Sequence, residues 1–137
     1  MEYITSFIAG FISTLTFHQG TLAALHKAGL WPKPAYAMAA TKPLHVPAVI
    51  SLAFWGGIWG ILLAYLVHGM FGAKLWIYAA LFGAIAPSAV ALFVVFPLKG
   101  LPFAGGWDPK VIGPVLLLNG AWGVGVIVLM RWIAWLG

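Results

Sequence analysis

Acidic side chains are almost missing from this sequence. Glu2 and Asp108 are the only two among 137 residues, and neither lies inside a long apolar run. An exchanger that couples to cations through a buried carboxylate therefore lacks its coupling group here. Hydrolysis by paired carboxylates is excluded as well. Cysteine is absent, which excludes disulfides, thiolate chemistry and iron–sulfur ligation by this chain alone. No G-x-S-x-G string occurs, and no acid could orient His18 toward Ser51 or Ser88 as a nucleophile. The glycines fall inside apolar runs without a preceding strand, so phosphate loops and dinucleotide fingerprints are missing too. No enzymatic activity is expected.

Charge of either sign is scarce. Charged residues make up 7% of the chain and hydrophobic ones 64%, whereas a soluble domain carries about 25% charged residues. Lipid is the solvent this composition suits. The net charge of +5 comes from scattered lysines and one arginine. They form no basic stripe, so a nucleic-acid partner is not expected. The positive charge reads instead as a topology signal and as contact with anionic headgroups.

Four runs free of Asp, Glu and Lys stand out, at 3–25, 47–67, 75–97 and 111–136, the last containing Arg131. About 20 residues suffice to cross a bilayer as helix. The runs are continuous rather than alternating, which disfavours a strand barrel. The expected fold is all-α: a polytopic membrane protein with four transmembrane helices in an antiparallel bundle, one domain over 1–137. The first run does not resemble a signal peptide: Glu2 precedes it without Lys or Arg, it is too long, and no A-x-A site precedes the first connection.

The connections set the topology. The first, 26–46, holds Pro32, Pro34 and Pro43, and its Leu30, Trp31, Tyr36, Ala37 and Met38 suit a segment lying on or dipping into the interface. The third, 98–110, holds Pro102, Gly105, Gly106 and Pro109. These two connections carry Lys27, Lys33, Lys42, Lys99 and Lys110 against Asp108; the other side has Lys74, Arg131 and Glu2. The charge bias predicts both connections on the cytoplasmic face of a cell membrane, a bacterial inner membrane, with both termini outside.

A shift of 67 positions lays Pro47 on Pro114, Trp55 on Trp122, Gly56 on Gly123 and Leu62 on Leu129. A duplication would make the fold two tandem helical hairpins. Two helices that each begin with proline and place a tryptophan two turns later account for the same identities without one.

Polar residues converge in depth. Measured from the lysine-rich connections, His18 of the first run, Ser51 and Trp55 of the second, Ser88 of the third, and Asn119 and Trp122 of the fourth fall in one layer roughly 6–16 Å deep. Thr21 and Gln19 flank His18. A neutral histidine there suits a donor–acceptor pair, a proton relay or a ligand contact. The competing reading is packing glue, with His18 bonded across the bundle to Asn119 or a hydroxyl, and with the Ser and Thr side chains bonded to their own helices. The expected ligand-binding set is His18, Gln19, Thr21, Ser51, Trp55, Ser88, Asn119 and Trp122. His26 and His45 flank the first connection and are the weak candidates for a shallow haem or metal site; no cofactor is otherwise expected.

Two functions compete. One is an accessory or assembly subunit of a larger membrane complex, partnered by lipids and by membrane subunits or further copies of itself. The other is a transporter or channel-like protein binding a small neutral or anionic solute in the layer around His18 and Asn119.

Overall fold

A computed structural model describes residues 2–136. Helix α1 (residues 2–27) runs from Glu2–Ser13 through a π-helical turn, Thr14–His18, into Gln19–Lys27. A two-residue hairpin of β1 (Ala40–Thr41) and β2 (Val46–Pro47) leads directly into α2 (Ala48–Leu66). Helix α3 (Gly72–Leu98) follows, with a second π turn at Ala91–Val95 ahead of Pro97. A tight turn, Phe103–Trp107, precedes α4 (Pro109–Leu136). The all-helical architecture matches the sequence reading, with helix ends within about three residues of the expected runs.

Among the described residues three helices, α2, α3 and α4, are long and apolar enough to cross a membrane. Helix α1 has similar length, but its hydroxyls, His18 and Gln19 dilute its apolar character. Large apolar side chains cover the outside of the molecule, including Ile58, Leu62, Leu81, Ile85 and Leu117. Water would penalise such continuous exposure, so these faces suit lipid or other helices.

Backbone approach is set by small residues. A side chain at Gly56 or Gly60 of α2 would strike the backbone of Gly10 or Ser6, or the Thr14 hydroxyl, in α1. One at Gly123 of α4 would strike the Ala79 carbonyl of α3, and one at Gly125 would strike Ser13 and Phe17 of α1. Helix α1 therefore packs between α2 and α4, and α3 packs on α4. The backbones of α2 and α3 stay apart and meet through their side chains, with the rings of Trp59 and Phe82 edge to face at 5.9 Å. Trp122, 3% exposed, belongs to the resulting core with Ala9, Leu63, Ala79, Val126 and Ile127.

The four helices are not level at the lysine-rich end. Gly56 lies beside Gly10 and Thr14, so antiparallel packing puts Ala48 about level with residue 20 of α1. At about 1.5 Å per residue, α1 continues roughly 10 Å further. The connection between them folds back into that step. Its carbonyls at Ala39 and Ala37 accept the N–H groups of Ala48 and Val49, both at 2.9 Å, and so satisfy the first donors of α2. The dipping segment expected from Trp31, Tyr36 and Met38 is thus tied to the helix it precedes.

Candidate functional site

The expected layer resolves into separate bonded groups. The first is built on the π turn of α1. A wider turn leaves carbonyls without their usual helical donors. The Tyr36 hydroxyl donates to the carbonyl of Leu15 at 2.7 Å. The Tyr36 backbone N–H donates to Gln19 Oε1, also at 2.7 Å. Tyr36 adopts φ +59°, a left-handed conformation that bulky side chains rarely take. Two hydrogen bonds to α1 hold it there. Gln19 is 3% exposed, and its amide nitrogen lies 3.0 Å from His18 Nδ1.

These contacts fix the histidine. A backbone N–H can only donate, so the Gln19 atom facing Tyr36 is oxygen and the one facing His18 is nitrogen. His18 Nδ1 then accepts, and its ring proton sits on Nε2. Among the described residues Nε2 has no hydrogen-bond partner, and no fully buried side-chain nitrogen or oxygen lacks one, so Nε2 is not completely enclosed although His18 is only part-exposed.

The second group joins α3 to α4. Asn119 Nδ2 donates to Ser88 Oγ at 2.9 Å, and Ser88 Oγ donates to the Val115 carbonyl at 3.3 Å. Ser88 follows Pro87, whose missing N–H loosens the helix at this level. The third group joins α1 to α4. Trp122 Nε1 donates to the Gly10 carbonyl at 3.1 Å, Ser13 Oγ donates to the Trp122 carbonyl at 2.7 Å, and Thr14 Oγ1 bonds the Gly10 carbonyl at 3.0 Å.

His18 and Asn119 are therefore placed in different groups, with different partners. Thr21 bonds the Phe17 carbonyl of its own helix at 2.6 Å. Ser51 is half-buried on α2, and Trp55 is 57% exposed, edge-on to Phe54. His26 Nδ1 donates to the Trp31 carbonyl at 2.9 Å, while His45 is exposed in the hairpin turn. Among the described residues no group of three or more His, Cys, Asp or Glu side chains could hold a metal ion. Thr14 and Thr16 bond carbonyls four residues back, as expected for hydroxyls in apolar helices.

Two residues of these groups escaped the sequence reading. Tyr36 read as an interfacial aromatic; nothing in its surroundings marks a hydrogen bond to Leu15, 21 residues away. Gly10 carried no signal in the sequence, yet its carbonyl takes two side-chain donors.

A cavity of about 500 Å³ forms a groove along α3 and α4 beside Phe17, floored by Ala80, Ala84, Gly120 and Ala121. Its lining carries no polar side chain. A smaller one, about 270 Å³, lies at the opposite end beside Glu2, His68 and Arg131. There His68 Nδ1 lies 3.5 Å from Glu2 Oε1, and the Arg131 guanidinium lies 5.3 Å from the Trp76 ring centre.

No protein-family model, curated protein or solved structure matches the chain.

Proposed function

We propose that this chain is an integral membrane accessory or assembly subunit, with all four helices crossing the bilayer. One observation carries the reading: Trp122 occupies the core at the depth where a solute site was expected. The polar residues around it are bonded to neighbouring helices or to their own backbone, which is the pattern of interhelical glue. The small-residue groove beside Phe17 is then the face that receives a partner helix, since close backbone approach drives association where lipid removes the hydrophobic contribution. The antiparallel packing puts the five lysines of the first and third connections at one end, and we assign that end to the cytoplasm.

Extraction in mild detergent followed by native mass measurement tests the role. A fixed-stoichiometry assembly is expected, and Gly120→Leu, which fills the groove, should dissociate it while leaving helical content and thermal unfolding of the free chain unchanged. A monomer in every mild detergent, or an assembly indifferent to groove filling, sinks the reading. Because the chain has no cysteine, Lys33→Cys and Lys74→Cys give clean topology reporters. An impermeant maleimide applied to intact cells should label only the second.

A further inference from the structure

The hydrogen-bond chain Leu15–Tyr36–Gln19–His18 ends in an unspent donor. Tyr36 is held at an unfavourable φ by its bonds to Leu15 and Gln19. Gln19 is buried, so its amide cannot turn over without losing the Tyr36 bond. The amide nitrogen therefore holds His18 Nδ1 as acceptor, and the Nε2 proton has no acceptor among the described residues. In water that proton would bond solvent. In a bilayer an unpaired N–H is costly and calls for an acceptor.

Depth identifies the acceptor. Helix α2 has 19 residues, about 28 Å, close to the hydrocarbon thickness of roughly 30 Å. Its first residue then marks the hydrocarbon boundary on the lysine-rich side. His18 lies about two residues of α1 below that boundary, within reach of the level where phospholipid acyl chains are esterified. Thr16, Gln19 and Thr21 of the same stretch of α1 are already bonded, and the acceptor available at that depth in quantity is an ester carbonyl. Lys27 and Lys33, both exposed on the same side, suit the phosphate of the same lipid class.

We propose that His18 Nε2 donates a hydrogen bond to the acyl-ester carbonyl of a phospholipid seated beside the folded-back Tyr36 segment, a specific lipid site rather than general wetting. The inference rests on α1 lying in the membrane, which flotation of the reconstituted protein checks separately.

The test uses wild-type protein labelled with nitrogen-15 histidine, in vesicles of two phospholipids alike in headgroup and chain length, one ester-linked and one ether-linked. In ester vesicles carrying carbon-13 at the carbonyl, magnetisation should pass between lipid carbonyl and His18 Nε2, with Nδ1 unprotonated. In ether vesicles the transfer is lost and the Nε2 resonance shifts. Gln19→Leu, which frees the ring, should weaken the transfer severalfold while the protein still floats with the vesicles. Protonation of Nδ1, or an Nε2 resonance identical in the two lipids, overturns the proposal. Failure to float overturns the membrane reading itself.

Discussion

Trp122 of α4 donates its indole N–H to the carbonyl of Gly10 in α1, 112 residues earlier in the chain. The same carbonyl accepts the Thr14 hydroxyl, and the missing side chain of Gly10 admits Gly56 of α2. One backbone position thus joins three helices. Trp122→Phe keeps one aromatic ring, removes the donor and leaves part of the indole's space in the core unfilled. Interhelical hydrogen bonds in membranes contribute about 0.6 kcal/mol on average and up to about 1.7. A loss of at least about 1 kcal/mol is expected in reversible unfolding in mixed micelles, without change in secondary structure. No loss would mean that the bond is not made.

Glycine substitutions should sort by backbone contact. Gly123→Ala puts a methyl against the Ala79 carbonyl, and Gly10→Ala puts one against the Gly56 carbonyl. Backbone cannot yield cheaply, so each is expected to destabilise by about 1–3 kcal/mol, the range of overpacked cores. A side chain at Gly20 or Gly113 meets nothing within 4 Å. There alanine should be neutral or stabilising by up to about 1 kcal/mol, because glycine is a poor helix former. Equal effects at all four positions would refute the packing described.

Tyr36→Phe removes the bond to Leu15 and leaves the backbone bond to Gln19 in place. The folded-back segment should open more often. Amide exchange at residues 28–39 is expected to accelerate roughly tenfold, equivalent to about 1.4 kcal/mol, with exchange in α3 and α4 unchanged.

Ser88 and Asn119 form one unit, so their substitutions should not add. Ser88→Ala and Asn119→Leu are each expected to lower stability by about 1 kcal/mol, and the double variant by little more than either, a coupling of about 0.6–1.7 kcal/mol. The same variants, with His18→Ala, separate the two functional readings. Loss of stability alone favours the subunit reading, whereas intact folding with a lost reconstituted flux favours a solute site.

Much of the architecture was legible in the chain. Continuous apolar runs with proline- and glycine-bearing connections allow few folds other than packed helices, because hydrocarbon leaves backbone groups no partner outside their own segment. The hydroxyls at Thr14 and Thr16 were legible for the same local reason: their acceptors lie one turn back. The candidate layer was less legible. Depth follows from counting residues, but facing depends on helix rotation, and rotation is set by which small residues meet. Gly56 against Gly10 and Gly123 against Ala79 turn Trp122 inward and leave Trp55 outside, although the two tryptophans hold matching sequence positions.

The sequence by itself determined the helical class and the helix ends, since these depend on residue type and spacing along one segment. Only tertiary structure decided that His18 bonds Gln19 and that Asn119 bonds Ser88. It also decided that Tyr36 reaches back to the π turn of α1. Those pairings join segments 17 to 31 residues apart, or turn on a rotamer fixed by such a contact. No local rule carries that information, because close packing, not propensity, chooses among them.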